Sequence, residues 1–194
     1  MEVVRAARSR GLEFTCGVTI NHLTLNENDI GAYRTFFKIR PPLRSEDDRL
    51  ALVAAVRDGT VDVIVSSHDP QGEDVKRLPF AEAADGAIGL ETLFAAALRL
   101  HHSEEIPLLV LLKAMTSRPA ELLGLETGQL KKGAPADLIV VDIDQPWMVD
   151  RDKLRSRSKN SPFDEGKMQG VVRLTMVDGR IVFQCPVQDH SSAL

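Results

Sequence analysis

The sequence is poor in cysteine and in the large aromatic residues: 194 positions carry two Cys, one Trp, one Tyr and seven Phe. Cys16 and Cys185 are too few and too far apart for a disulfide framework or a zinc ribbon, so a reducing cytoplasm is the expected setting. No apolar run approaches the roughly 20 residues that span a bilayer. The first residues, MEVVRAARSRGLEF, contain arginines but not the apolar segment of a signal peptide. A basic excess is missing as well: 24 Lys and Arg stand against 28 Asp and Glu, a net charge of -4, which argues against a nucleic-acid module. No internal repeat is evident. What is present, 43% hydrophobic and 27% charged residues in a chain long enough for one sizeable core, belongs to a soluble globular protein.

One stretch organises the rest. In VDVIVSSHDPQ, Val61 to Gln71, an apolar β-branched run ends abruptly in Ser66, Ser67, His68 and Asp69 before Pro70. Such runs suit a strand buried on both faces of a parallel sheet, and in parallel α/β architectures the chemistry sits at the carboxyl ends of strands. The same five polar and proline residues are also ordinary turn chemistry, so the local pattern leaves a structural turn and a functional site both open.

Around it the periodicity alternates. Met1 to Arg10 reads as a helix stopped by Gly11, and Phe14 to Ile20 as a strand with Asn21 and His22 at its carboxyl end. His22 has two readings, a ligand or a structural donor. Leu23 to Ile39 is long and irregular, the signature of a lid or binding loop inside an α/β unit. Arg44, after Pro41 and Pro42, can grip an anion or join a surface ion pair. Ser45 to Asp58 reads as a helix capped by Ser45, facing a sheet through Leu50, Val53, Ala54 and Val56. Gly72 to Ala84 reads as a charged loop carrying Lys76 and Arg77. Gly86 to His102 reads as an apolar helix whose first glycines either expose amides to an anion or allow tight packing. Ile106 to Met115 and Pro119 to Leu123 are further helices. Ala136 to Val141 is a strand, and Gly170 to Gln184 a hairpin turned by Asp178-Gly179. Pro146 to Phe163, rich in Arg, Lys and Ser, reads as a solvated polar connection, and 186–194 as a disordered tail. The fold class is α/β.

Several strings then resemble one family in order and spacing: NHLTLNENDIGAYRTFFK at Asn21 to Lys38, PPLR at Pro41 to Arg44, SSHDPQ at Ser66 to Gln71 and KRLPF at Lys76 to Phe80, followed by GAIGLET, RPAELLGL, KKGAPADLIVVD and SKNSPFDEGKMQGVV. Together they resemble the carboxyl-terminal half of a dihydroorotase of the amidohydrolase superfamily, particularly a group found in alphaproteobacteria. The resemblance runs from the first residues to about Val182. It implies the C-terminal portion of a (β/α)8 TIM-type barrel over 1–130, with Phe14 to Ile20 and Val61 to Ser66 as the last two barrel strands. Strands of a small β subdomain over 131–185 would follow.

The implied activity is the reversible ring closure of N-carbamoyl-L-aspartate to dihydroorotate in pyrimidine biosynthesis. A zinc ion is the implied cofactor, held by ligands on strands one, four, five and six, none of which lies in this sequence. Where the family has Thr-Asp-His-Ala-Pro-His, this chain has Ser66, Ser67, His68, Asp69, Pro70 and Gln71. The proton-exchanging Asp position is thus Ser67, and the nearest carboxylate is Asp69, which shares the face of a strand but lies roughly 6 to 7 Å further along. Only a bend at Pro70 would return it. The resemblance therefore implies Asp69 and its neighbour His68 as catalytic candidates, with Arg40, Arg44, Gln71 and Gly86 near substrate and no metal ligand in this chain. The partners implied are the missing amino-terminal half, a second copy, or aspartate transcarbamoylase. Two other functions stay open: a non-catalytic scaffold subunit, favoured by Ser67, and an amidase for another cyclic amide such as a hydantoin.

Overall fold

A computed structural model describes residues 1–103 and 105–185; the expected disordered tail lies outside them. Helix α1 (Glu2–Ser9) ends ahead of Gly11, whose φ of +75° is the left-handed conformation that glycine adopts without a Cβ penalty. Strand β1 is only Gly17–Thr19, shorter than the expected Phe14 to Ile20. The strand stops because Thr19 changes role: its Oγ1 accepts the His22 N–H at 3.3 Å and caps α2 (Ile20–Thr24).

The expected helix cap at Ser45 forms, Oγ accepting the Asp48 N–H at 3.2 Å, and three acids occupy the first turn of α3 (Glu46–Arg57). Its buried face is Val53, Ala55 and Val56; Leu50 and Ala54 point outward instead of toward the sheet. Strand β2 (Val63–Val65) then pairs in parallel with β1, Gly17 opposite Val63 and Thr19 opposite Val65. Helix, strand, helix, strand in parallel register is the α/β alternation the sequence implies.

The charged loop after β2 contains a single turn, α4 (Glu73–Lys76). The helix expected from Gly86 starts only at Leu93, as α5 (Leu93–His102). Residues 86–89 instead run beside the continuation of β2, with a parallel bridge between His68 and Ala87. Their backbone groups are engaged by Asp69, His68, Lys38 and Asn160, which keeps them from closing helical turns. Helices α6 (Leu108–Met115) and α7 (Ser117–Leu123) follow, the latter stopped by Gly124 at φ +66°.

Strands β3 (Leu138–Met148), β4 (Lys167–Val177) and β5 (Arg180–Gln184) form an antiparallel sheet. Asp178 and Gly179, at φ +48° and +73°, make the expected two-residue turn with both central residues left-handed. β3 outruns the expected Ala136 to Val141, passing an irregularity between Asp142 and Pro146 where a proline costs the ladder little. The polar connection expected from Pro146 to Phe163 therefore begins as strand, and its middle turns inward: Leu154, Asn160, Ser161 and Phe163 are buried. One apolar cluster joins both parts of the chain, from Val18 and Ile20 through Val56 and Leu111 to Val149, Phe163 and Met168. β4 docks on α5 closely enough that a Cβ at Gly170 would lie 2.1 Å from Leu98 Cδ1.

Candidate functional site

The parallel register brings the carboxyl ends of β1 and β2 side by side, and the residues that follow them fold into one cluster. After Val65 the chain passes through Ser67, whose φ of +49° is left-handed without a glycine, before His68 resumes parallel pairing with Ala87. Such a conformation costs on the order of 1 kcal/mol for an L residue and persists where surrounding contacts fix it. Those contacts come from the segment alongside. Asp69 N–H donates to Ala87 O at 2.7 Å, and Gly89 lies so near Ser66 that a Cβ would meet the Ser66 carbonyl oxygen at 2.4 Å. The backbone departure ahead of Asp69 is thus the left-handed Ser67, and no bend forms at Pro70.

Asp69 is exposed, and its Oδ1 accepts the Gln71 side-chain amide at 2.7 Å. Its other oxygen lies over Gly86, where an added Cβ would be 2.5 Å from Oδ2. Gly86, at φ +126°, is required twice over, by conformation and by the carboxylate above it. Arg40 reaches the same place: its Nε pairs with Asp85 at 2.9 Å while most of its side chain stays in solvent. Asp69, Gln71, Gly86 and Arg40 are therefore one neighbourhood. Arg44 is not in it, since its guanidinium lies 3.8 Å from Asp48 as an exposed pair on α3, the surface reading of that residue.

Both histidines are tied to backbone. His68 Nδ1 accepts the Gly89 N–H at 3.2 Å, so the neutral ring carries its proton on Nε2. His22 lies 2.6 Å from Thr19 Oγ1 through Nδ1, and its Nε2 faces the carbonyls of Pro41 and Pro42 at 3.1 and 3.2 Å. Two carbonyl acceptors require a proton on that nitrogen, which makes His22 a structural donor holding the Pro41–Pro42 turn. The amides offered to an anion at the start of the apolar helix are also taken: Gly86 N–H donates to Lys38 O at 3.0 Å, and Gly89 N–H to His68.

Two organising residues carry no local signal in the sequence. Asn160 is buried; its Nδ2 donates to Gly86 O at 3.1 Å and Asp69 O at 3.4 Å, and its Oδ1 lies 3.5 Å from Gln71 N. It clamps the two backbone segments that form the site, from a position 74 to 91 residues away. Lys76, read as a surface charge, is buried with Nζ donating to the carbonyls of Thr35, Lys38 and Ala84 at 2.8, 3.2 and 2.8 Å. Burial pushes its ammonium down to about 8. It pins the irregular segment after α2 against the residues leading to Gly86. Beside these, Asn21 is fully buried, and neither its Oδ1 nor its Nδ2 has a hydrogen-bond partner among the described residues.

The zinc implied by the family resemblance finds no donor set here. No three His, Cys, Asp or Glu side chains converge to hold an ion among the described residues. His22 presents a bound N–H, His68 has already given its free lone pair to Gly89, and Asp69 stands alone as a carboxylate beside a neutral amide.

Comparison with known proteins agrees with the α/β fold. The profile of the amidohydrolase family matches residues 17–183. The chain is 40% identical over 187 residues to a dihydroorotase of Ehrlichia chaffeensis, covering 96% of this chain and 42% of that protein. It is 40% identical over 184 residues to a dihydroorotase of Geobacter metallireducens, covering 95% and 43%. Among solved structures, an L-hydantoinase (dihydropyrimidinase) from Arthrobacter aurescens superposes with a TM-score of 0.89 at 30% identity, over 94% of this chain and 42% of that one. The chain spans less than half the length of these relatives, which matches a fold holding two parallel strands where the barrel has eight. With its parallel strand pair and its β3–β5 sheet on the page, the chain belongs to the amidohydrolase family, as the carboxyl-terminal part of a dihydroorotase-like barrel.

Proposed function

We propose that this chain forms the last two strands and the β subdomain of a cyclic amidohydrolase that interconverts N-carbamoyl-L-aspartate and dihydroorotate, and that it is inactive alone. The observation that carries this reading is the placement of the exposed Asp69 carboxylate beside the Gln71 amide and over the Gly86 backbone at the strand ends. Asp69 is the one carboxylate there with neither an ion pair nor a backbone N–H on it, so it is the group available to exchange a proton with a leaving ring nitrogen. Gln71 holds that carboxylate and presents an amide to the substrate. Arg40, released from Asp85, supplies a planar fork for a substrate carboxylate. The Gly86 carbonyl keeps a second lone pair for a substrate N–H. His68, bound to Gly89, acts as a positioning residue for the segment around Ser67. Metal ligation falls to residues outside this chain.

A second reading has one observation in its favour. Ser67 occupies the position where the family places its proton-exchanging Asp, and a hydroxyl does not titrate near neutrality. A scaffold subunit, for example one carrying aspartate transcarbamoylase, needs no carboxylate there.

Dihydroorotate hydrolysis separates the two. The chain alone is expected to show no turnover with or without added zinc. A protein in which this chain is joined to the amino-terminal barrel strands of the Ehrlichia chaffeensis relative is expected to hydrolyse dihydroorotate, and Asp69→Asn in it to lower kcat by at least about a hundredfold. Turnover by the chain alone would overturn the inactivity. An active joined protein indifferent to Asp69→Asn would remove Asp69 from the chemistry, and an inactive joined protein that binds zinc would favour the scaffold.

A further inference from the structure

The Arg- and Lys-rich stretch after β3 folds back over the chain instead of lying in solvent, and it closes a cavity of about 490 Å3 against α4. Ser158 Oγ donates to Gln71 O at 2.7 Å and Asn160 meets Gln71 N, so the stretch is fastened along one wall. Five cationic side chains line the space: Lys76 at the end of α4 and Arg77 just after it, Arg151 from the turn after β3, and Arg157 and Lys159 from the fastened stretch. Glu73 pairs with Arg77, and Asp164, from outside, lies 3.4 Å from Arg151. Lys76, Arg157 and Lys159 then remain against Asp152, a surplus of two positive charges.

Part of that surplus is held out of water, whereas Arg157 is exposed. Lys76 is buried, its charge solvated only by the carbonyls of Thr35, Lys38 and Ala84. Lys159 is fixed by the Leu154 carbonyl at 2.7 Å. The Arg157 guanidinium has no partner among the described residues, although Asp and Glu outnumber Lys and Arg in the chain as a whole. Fixed cations in a concave, low-dielectric wall focus a positive potential into the space they surround. Opposite them Phe36 offers an apolar face, with the Arg151 guanidinium 5.5 Å from its ring centre.

From this placement we propose that the cavity between α4 and residues 151–160 is a binding site for a small organic dianion, a phosphomonoester or a dicarboxylate with an apolar body. Arg157 is the mobile clamp: its planar fork closes on the anion, Lys76 and Lys159 supply fixed charge, and Phe36 takes the apolar part. The site stands on its own lining and does not depend on the catalytic reading. Gln71 forms part of its wall and donates to Asp69, so occupancy is felt at the backbone of both residues.

The test is titration of the full chain with phenyl phosphate, succinate and inorganic phosphate at low and high salt, by calorimetry and by amide chemical shifts. Saturable binding of phenyl phosphate or succinate is expected at a dissociation constant of about 1 mM or below, with shifts at Gln71, Ser158 and Asn160. The preferred probe identifies which dianion class the site takes. Arg157→Gln is expected to weaken binding about tenfold, which is about 1.4 kcal/mol, while the distant Arg10→Gln, equal in charge lost, changes it by no more than about twofold. Absence of saturable binding by any probe, equal losses in the two variants, or shifts confined to other parts of the chain would each overturn the site.

Discussion

At the amino-terminal end of the β1–β2 pair, Asp62 sits in a closed network. Its carboxylate pairs with Arg8, accepts from Arg118 at 3.1 Å, and takes the Cys16 backbone N–H at 2.8 Å, with only 8% of the side chain exposed. At the carboxyl end of the same strands, Asp69 is exposed and holds only the neutral Gln71 amide, Ser67 is left-handed, and the buried Asn21 has no partner. At one end the carboxylate is fully engaged. The other keeps an available carboxylate, a strained residue and an orphaned amide within a few residues of one another. In α/β barrels the amino-terminal face carries stability and the carboxyl face carries chemistry. The contrast between Asp62 and Asp69 expresses that division across a single pair of parallel strands.

The most disruptive way to break the contrast is at Asp62. Burial alone would raise its pKa, but the Cys16 amide and the two arginines outweigh burial and hold the carboxyl below its ordinary value. A depressed native pKa means that stability is present above the unfolded carboxylate value and is lost as pH falls through the native one. Asp62→Asn removes the charge and leaves the Arg8 guanidinium without an acidic partner, while Arg118 keeps only Glu121 at 3.1 Å. Because Arg8 and Arg118 still reach water, the expected cost is about 2 kcal/mol, below the range for a fully buried pair. A urea-unfolding midpoint displaced accordingly, with a flatter acid limb than in the unsubstituted chain, is the expected result. An unchanged midpoint would place the stabilising end of the fold elsewhere.

Much of this architecture is legible locally, and the reasons are local. Ser45 caps α3, Gly11 and Gly124 follow α1 and α7 in left-handed geometry, and Asp178-Gly179 turns the hairpin, because each outcome is decided by a residue's own conformational range or by a bond within three positions. The site is less legible because its decisive contacts are remote. Nothing near Asn160 announces that its amide will join Asp69 to Gly86, and nothing near Lys76 distinguishes it from the exposed Arg77 beside it. Gly86 to Thr92 has a helical pattern but lies alongside the continuation of β2, so tertiary pairing overrides it. Pro70, where φ is fixed, is the one place where the sequence offers a bend, yet the unusual backbone falls at Ser67, a residue with no intrinsic preference for a left-handed conformation. Only the packing of Gly89 under Ser66 and the Asp69–Ala87 bond explain it.

At the carboxyl end the expected sign reverses. Asn21 buries an amide that could satisfy up to four hydrogen bonds and makes none among the described residues. A nearly isosteric apolar side chain removes that desolvation cost without opening a cavity, so Asn21→Leu is expected to stabilise the chain by about 1 kcal/mol. Thermal or urea unfolding checks the sign. A loss of stability would mean that the amide finds a partner in solution and that this end is as fully satisfied as the other.

The smallest effect is the sharpest test of the comparison. Asp69→Asn retains the shape of the side chain and exchanges a carboxylate for an amide beside Gln71, whose own amide rotates to restore one bond. The group is exposed, carries no ion pair among the described residues, and has its backbone held independently by Ala87 and Asn160. Its substitution is therefore expected to change stability by no more than about 0.5 kcal/mol, although the chemically equivalent change at Asp62 costs several times that. If the two substitutions prove equally costly, Asp69 is a structural carboxylate like Asp62, and the available charge at the strand ends is part of the scaffold. If Asp69→Asn is neutral as expected, its carboxylate makes no measurable contribution to folding, and a role in binding or proton exchange is what remains to account for a charge placed over Gly86.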